Sequence, residues 1–335
     1  MPRATIKEVS QRAGVSVATV SRAFSAPERV RPQTLERVLR VAEEVNFRPN
    51  AFARSLRARR SHTVLVMIPD IANPFFSSVV KGIERAAVAR GYAVLLGITD
   101  SQAAREDELA LMIDSQQVDG VIQLNSRVPE AVRQRRARGL DTPFVNACDC
   151  VDDDTLDRVM IDNAGAAGAV IRDLHARGHR RIGVIQGPED SALTSRRRTG
   201  CETAAVALPE LQLLYARGSY TMASGRIAAM RMLARAANAR PTALFCFSDE
   251  MAMGAMSAAR QAGVSVPSEL SIIGFDDIDH AELSVPALTT VSQPKLLLGE
   301  QAMTLLLEQI EGAERPARTV IVDHQLIARA SVADA

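Results

Sequence analysis

Ala13-Gly14-Val15-Ser16-Val17-Ala18-Thr19-Val20-Ser21-Arg22 holds the end of one helix and the start of another. Gly14 can take the positive φ that closes a helix in a tight turn, and Ser16 can cap the next. Upstream, Thr5-Ile6-Lys7-Glu8 has capping-box spacing, with Ile6, Val9 and Ala13 at helical intervals. Val15 and Val20 can pack back on that first helix, as a helix-turn-helix requires. Pro32 sits where a first-turn proline is tolerated, and Leu35, Val38, Ala42 and Val45 mark a third amphipathic helix. Pro49 biases Arg48 out of helical geometry and closes the bundle.

The second helix presents Ser16, Thr19, Ser21 and Arg22 on its polar side. Short hydroxyls suit phosphate oxygens, and an arginine fork suits a guanine edge. Val17 and Ala18 offer only apolar contact, at most to thymine methyls. Charge agrees with this reading. Residues 1–60 carry twelve Arg and one Lys against five Glu, a net +8, whereas the rest carries 27 basic against 34 acidic side chains, a net −7. A basic head on an acidic body points to a polyanion-binding module joined to a second function.

The 335 residues allow two or three domains and a large core. Four cysteines, at 148, 150, 201 and 246, form no secreted framework and read as reduced thiols. No apolar run has signal-peptide or membrane-span character, so a cytoplasmic location without membrane contact is expected.

From Thr63 the pattern changes. Thr63-Val64-Leu65-Val66-Met67-Ile68 is a short apolar run of β type, and similar runs recur at 93–98, 118–124, 143–147, 181–186, 213–216, 243–247 and 270–274. Helix-type segments at 76–90, 103–117, 164–177, 249–262 and 295–311 separate most of them. Such alternation indicates parallel sheets in βαβ units. There are too many runs for one open sheet, so two similar lobes are expected. A change near Asp162 and crossings near residues 290 and 322 would join them.

Ligands in such folds bind beyond the carboxyl ends of the strands. Those ends supply Pro69 to Phe76, Asn125-Ser126-Arg127, Asn146 to Asp149, Gln186-Gly187-Pro188 leading towards Arg197, Ser248-Asp249 and Phe275-Asp276-Asp277. Aromatic faces, a guanidinium and several carboxylates suit a neutral polyhydroxyl ligand with an apolar face, a sugar or nucleoside. Asp249 opens a helix at a strand end, so both helix capping and ligand contact fit it.

Other signals carry less. His175 and His179 have i,i+4 spacing, but Gly178 interrupts the helix and no third metal ligand is evident. Cys148 and Cys150 form a lone Cys-x-Cys pair. Gly165-Ala166-Ala167-Gly168 lacks the dinucleotide fingerprint. No nucleophile elbow or phosphate loop occurs. Binding without turnover is expected, with no cofactor and no metal.

Thr5 to Val9, Ala13 to Ser16, Ala18 to Arg22, Phe47-Arg48-Pro49-Asn50 and Ala53-Arg54-Ser55-Leu56 together resemble the DNA-binding head and hinge of the lactose-repressor (LacI) family. The resemblance continues through nearly the whole chain. It implies an all-α helix-turn-helix head on a periplasmic-binding-protein-like α/β body of two parallel-sheet lobes. It divides the chain into a head at 1–48, a hinge at 49–60, one lobe at 61–161 plus about 291–322, and a second at 162–290 plus about 323–335. It implies DNA contacts from Thr5, Ser16, Val17, Ala18, Thr19, Ser21 and Arg22.

Asn50 to Arg57 reads as a two-turn helix, too short to be stable alone. The resemblance implies that two such helices pair in a homodimer and enter the minor groove of a pseudo-palindromic operator. Leu56 would wedge a base step, Ala53 would allow close helix approach, and Arg54 and Arg57 would face phosphates or groove edges. Leu56→Ala is then expected to weaken operator binding and spare effector binding.

For the effector, the resemblance implies ring stacking by Phe75 and Phe76, a contact from Arg197, a pocket wall at Tyr220 and hydroxyl or ring-nitrogen binding by Asp276. Asn125, Arg127, Asp149, Ser191 and Asp249 complete the candidate set. Ser191 and Leu193 depart from the purine-responsive members, which disfavours a free purine base. Val64 to Phe76, Phe245 to Asp249 and Ser271 to Asp279 resemble the cytidine-responsive members most. The expected function is a DNA-binding transcriptional regulator, in this family most often a repressor, modulated by a small polyhydroxyl effector such as a nucleoside bound between the two lobes. A sugar-responsive regulator and a solute-binding protein without transcriptional role are the alternatives, and a sugar- or nucleoside-processing enzyme a more distant one. Ser331 to Ala335 carries no heptad pattern, which favours a dimer over a tetramer.

Overall fold

The computed structural model describes residues 4–47, 60–140, 142–149, 151–313 and 315–335. The chain divides into two compact units, Met1–Ser61 and His62–Ala335.

Among the described residues the first unit has three α-helices, α1 (Ile6–Ala13), α2 (Val17–Ser25) and α3 (Pro32–Glu44). Thr5 Oγ1 accepts from Glu8 N at 3.3 Å, and Ser16 Oγ accepts from Thr19 N at 3.1 Å. These bonds satisfy amides that a helix start leaves unpaired. Gly14, at φ 62°, ends α1 in the left-handed region. Val9, Ala13, Val20, Ala23, Val38, Val41 and Ala42 bury one small core. Asn50, Ala53, Arg54, Leu56 and Arg57 lie outside the described residues.

The second unit contains two six-stranded sheets. The first takes β1 (Thr63–Ile68), β2 (Ala93–Ile98), β3 (Gly120–Gln123), β4 (Phe144–Ala147), β5 (Asp157–Met160) and β11 (Thr319–Ile321), in the order β11-β5-β4-β3-β1-β2. The second takes β6 (Arg181–Gln186), β7 (Gln212–Arg217), β8 (Ala243–Cys246), β9 (Ser271–Asp276), β10 (Thr289–Ser292) and β12 (Gln325–Ile327), in the order β12-β10-β9-β8-β6-β7. All pairings are parallel except β10 with β12.

Helices α4 (Pro74–Ala89), α5 (Ala103–Ala110), α6 (Glu130–Ala137) and α12 (Lys295–Ile310) serve the first lobe. Helices α7 (Asn163–Ala176), α8 (Ala192–Val206), α9 (Met222–Leu233), α10 (Asp249–Gln261) and the short α11 (Asp279–Leu283) serve the second. The chain passes between lobes after β5, after β10 and after β11. Asp162 marks the first passage by capping α7, its Oδ1 accepting from Gly165 N at 2.8 Å.

Close helix crossings explain several glycines. A Cβ on Gly254 would lie 2.0 Å from Met222 O, and one on Gly225 2.2 Å from Met251 O, so α9 and α10 touch backbone to backbone. Gly82 and Gly299 do the same for α4 and α12. Each lobe thereby gains a tightly locked helix pair beside its sheet.

Four strands escape a reading by apolar runs, β5, β10 and the short edge strands β11 and β12. β5 begins with Asp157 and Arg158, and β10 is Thr289-Thr290-Val291-Ser292. Their polar side chains are buried with partners: Arg315 donates to Asp157 Oδ1 at 2.9 Å and Oδ2 at 2.8 Å, and Arg329 N donates to Thr289 Oγ1 at 2.9 Å. Helices α6, α8 and α9 carry too many arginines and small residues for their periodicity to stand out.

Candidate functional site

In the head, α2 leaves Ser16, Val17, Ala18 and Arg22 exposed, with Thr19 and Ser21 half-buried, while Thr5 is exposed at the start of α1. Ser16 and Thr19 hydroxyls lie 2.9 Å apart. The serine that caps the helix therefore also positions a second hydroxyl on the same face. This face has the polarity and reach needed for a phosphate backbone.

In the body, a cavity of about 700 Å³ opens between the two lobes. Its wall is built from strand ends. β1 leads to Asp70, β2 to Asp100 and Ser101, β3 to Asn125 and Arg127, and β4 to Cys148 and Asp149. From the other lobe, β6 leads to Ser191, β7 to Tyr220, β9 to Asp276 and β10 to Gln293. Asp100, Ser101, Cys148, Tyr220 and Asp276 all have positive φ, between 50° and 112°. Each such residue costs of order 1–3 kcal/mol unless its surroundings enforce it, and such strain collects at binding sites.

Asn73 Oδ1 caps α4 by accepting from Phe75 N at 2.9 Å. The cap, followed by Pro74, fixes the first turn so that Phe75 and Phe76 both face the cavity. Their rings meet edge-on at 5.3 Å. Phe75 is also part of the core, so its ring is fixed, whereas Phe76 is half-buried.

Asn125 Nδ2 donates to buried Glu106 Oε1 at 2.5 Å, and Arg127 donates to Glu106 Oε2 at 3.1 Å and Asp107 Oδ2 at 2.6 Å. The hydrogen bond to Asp107 holds the Arg127 guanidinium above its ordinary range. Arg127 is thus neutralised by its own lobe. Asp149 Oδ2 accepts from Ser126 Oγ at 3.2 Å and from Ser191 Oγ at 3.3 Å, which links the lobes. Burial pushes its carboxyl up, against the opposing Ser126 bond.

The floor is formed by Arg197 and Asp276. Arg197, on α8, is 2% exposed. Its Nε donates to Asn163 Oδ1 at 3.0 Å, its Nη1 to Phe247 O, and its Cζ stacks 3.5 Å from the Phe275 ring centre. Only Nη2 is left to face the cavity, 3.9 Å from Asp276 Oδ1. Gln293 Nε2 donates to the same Oδ1 at 2.7 Å. Burial pushes the Asp276 carboxyl up to about 6, with Arg197 opposing most strongly and then Gln293 and Lys295. Tyr220 closes the side, its hydroxyl 2.8 Å from Thr194 Oγ1. Gly187 makes room for that ring, since a Cβ there would lie 2.2 Å from Tyr220 Cζ.

The cavity therefore gathers Phe75, Phe76, Asn125, Arg127, Asp149, Ser191, Arg197, Tyr220 and Asp276. It does not gather Asp249. That carboxylate is fully buried, accepting from Thr290 Oγ1 at 2.5 Å and Ile278 N at 2.9 Å. Nor does Asp249 cap α10, whose N-cap is Ser248. Burial and neighbouring Asp276 push its carboxyl up. It holds the loop after β9 in place from beneath. Gln293 and Glu106, which line the cavity, and Thr194, which bonds the Tyr220 hydroxyl, are residues that strand-end reading leaves out. Only the pairing of Ser292 with Asp276 across β10 and β9 brings Gln293 to the cavity.

Six carboxylates line the cavity, Asp70, Asp100, Glu106, Asp149, Asp190 and Asp276, against the two guanidiniums of Arg127 and Arg197. An additional negative charge would enter against this balance. Among the described residues no His, Cys, Asp and Glu cluster could hold a metal ion, and no helix is long and apolar enough to cross a membrane.

Residues 5–50 match the family described as bacterial regulatory proteins, lacI family, and residues 171–332 a periplasmic binding protein-like domain. The chain is 40% identical over 331 residues to the HTH-type transcriptional repressor CytR of Escherichia coli strain K12, covering 98% of this chain and 96% of that one. Its structure is similar to that of the lac repressor dimer bound to operator and the anti-inducer ONPF, with a TM-score of 0.89 at 25% identity, covering 99% of this chain and 100% of that one. It is also similar to a complex of the transcriptional regulator CelR with cellobiose, with a TM-score of 0.74 at 30% identity, covering 98% and 100%.

Proposed function

The chain belongs to the lacI family of bacterial regulatory proteins, and on that premise we propose that its interlobe cavity binds an uncharged, unphosphorylated nucleoside whose occupancy changes operator affinity. It is a transcriptional repressor with an effector-binding body, not an enzyme.

The observation that carries the effector reading is the pairing of aromatic walls with acceptor-rich ends. Phe75, Phe76 and Tyr220 supply flat apolar surface for a base. Asp276 and Asp149 accept from hydroxyl or amino groups, and Arg197 Nη2 donates to an acceptor. The excess of carboxylates favours a nucleoside over its phosphate ester. The resemblance to the cytidine-responsive branch supports the same choice. A sugar is the second reading, favoured by the same acceptors, which suit any vicinal diol.

In this reading two chains form a dimer, each head taking one half of a pseudo-palindromic site in the cytoplasm. Ser16, Thr19, Ser21 and Arg22 approach the duplex, with Thr5, Val17 and Ala18 beside them. The hinge supplies Asn50, Ala53, Arg54, Leu56 and Arg57. Lobe rearrangement couples cavity to head, provided that the effector binds the two arrangements with different affinities. Nothing in it calls for a cofactor.

The test is thermal unfolding against cytidine, uridine, adenosine, ribose and cytidine monophosphate. A ligand at about a hundred times its Kd adds about 2.7 kcal/mol. Cytidine should stabilise the wild type and not Asp276→Ala, and its monophosphate should bind more weakly. Stabilisation by ribose alone replaces the nucleoside with a sugar. A preference for the monophosphate contradicts the charge argument.

A further inference from the structure

Strand β9 ends at Asp276, with φ 112°, and the next residue, Asp277, also has positive φ, at 54°. The first value lies outside even the left-handed helical region. Two such residues in succession persist only where the surroundings enforce the turn.

The enforcing group comes from the crossover to the other lobe. Lys295 Nζ donates to Asp276 O at 2.8 Å and to Asp277 O at 2.5 Å. A single ammonium thus grips both carbonyls of the strained pair. Lys295 is the first residue of α12, where the positive end of the helix dipole disfavours a cation. Helix stability therefore does not account for a lysine at this position, whereas the grip on the turn does. Helix α12 packs on α4 in the first lobe, so the lysine ties the second lobe's aspartate to an element of the first.

The rest of the turn is held independently. Gln293 donates to the Asp276 carboxylate, Arg329 Nη2 to Asp277 Oδ1 at 2.7 Å, and Ile278 N to Asp249. These contacts fix side chains and the residue beyond. Of the bonds described at this turn, those from Lys295 are the side-chain bonds that meet its two backbone carbonyls.

We propose that Lys295 is a positioning residue of the effector site, holding the Asp276–Asp277 turn so that the Asp276 carboxylate faces the cavity. The proposal rests on the reading of Asp276 as an effector contact.

The test uses the full-length protein as wild type, Lys295→Met, Lys295→Arg and Asp276→Ala. Amide hydrogen exchange without ligand reads the turn directly, and calorimetry with cytidine reads the site. Lys295→Met should raise exchange at Asp277 and Ile278 by about ten-fold or more while the other strands keep their protection. It should weaken cytidine binding by about ten-fold. Lys295→Arg, which retains a cationic donor, should restore most of both. A merely structural lysine would raise exchange throughout the body. Wild-type exchange at the turn in Lys295→Met overturns the proposal. So does unchanged cytidine affinity in that variant when Asp276→Ala has lost binding. Full cytidine affinity in Asp276→Ala instead removes Asp276 as an effector contact, and the exchange result alone then judges the lysine.

Discussion

Arg197 Nη2 stands 3.9 Å from Asp276 Oδ1 at the floor of the interlobe cavity, and both residues are almost wholly withdrawn from water. Each helps to compensate the other's burial. The remaining guanidinium nitrogens donate to Asn163 and Phe247, so the cation is held for this one open direction. A ligand that inserts between the two groups meets a donor and an acceptor already oriented, at little further ordering cost.

Arg197→Met leaves Asp276 buried without its main opposite charge. Losing one partner of a buried pair costs about 3–5 kcal/mol. The loss should be close to that at about pH 7.5 and clearly smaller at about pH 5, where Asp276 is protonated. Urea unfolding of the variant and wild type at both pH values measures this. An equal loss at both would show that the charge of Asp276 is not what Arg197 compensates.

Effector binding should depend on pH through the same carboxyl. Burial raises Asp276 in the folded protein to about 6, above the ordinary carboxylate value of 3.8. Folding therefore takes up a proton between these values. The stabilisation from this group is complete below the lower value and is lost as pH rises through about 6. The ionised form accepts more strongly from a hydroxyl or amino donor than the acid does. Affinity for cytidine should accordingly fall as pH drops below about 6, by at most about ten-fold per unit. Calorimetry from about pH 5 to 8 checks it. A flat profile is inconsistent with a donor contact to Asp276.

Two glycines should respond to alanine in opposite ways. At Gly254 the new Cβ meets the Met222 carbonyl oxygen at 2.0 Å, a backbone atom that cannot yield cheaply. Gly254→Ala should destabilise the body by about 1–3 kcal/mol. At Gly187 the obstacle is the Tyr220 ring, which can swing. Gly187→Ala should keep most of the stability and lose effector affinity. Thermal unfolding with and without cytidine separates the two.

The head should bind DNA electrostatically and read bases through few contacts. Affinity for duplex DNA should fall steeply with salt. Arg22→Ala should cost about 1–3 kcal/mol and relax specificity at one position. Ser16→Ala should cost about 1 kcal/mol of head stability through the lost cap. Anisotropy titrations at several salt concentrations, with unfolding of the isolated variant, distinguish the two effects. Binding that survives deletion of residues 1–60 would place the DNA site elsewhere.

The fold was legible where burial and apolarity coincide. Thr63 to Ile68 and Arg181 to Gln186 are strands within a residue of their apolar runs. Capping chemistry was equally readable, because Thr5, Gly14 and Ser16 act through their own backbone neighbourhood. Strands β5 and β10 were not, since Asp157, Arg158, Thr289 and Thr290 are buried by pairing with residues far away in sequence. The site followed the same division. Residues directly after apolar strands, such as Asn125, Asp149 and Asp276, come to the cavity. Asp249 also follows a strand, yet its side chain turns into the core towards Thr290 and Ile278. Gln293 and Lys295 reach the site only through the adjacency of β9 and β10, which no local pattern encodes.

Effector binding in the cavity should change the DNA affinity of the head. Anisotropy of a labelled duplex, selected from a random-sequence library for tight binding, should be titrated with the full-length protein in the presence and absence of saturating cytidine. A coupling of about 1–3 kcal/mol is expected, a five- to 150-fold change in DNA affinity, and Asp276→Ala should lack it. Cytidine that stabilises the wild type yet leaves DNA affinity unchanged would contradict the account.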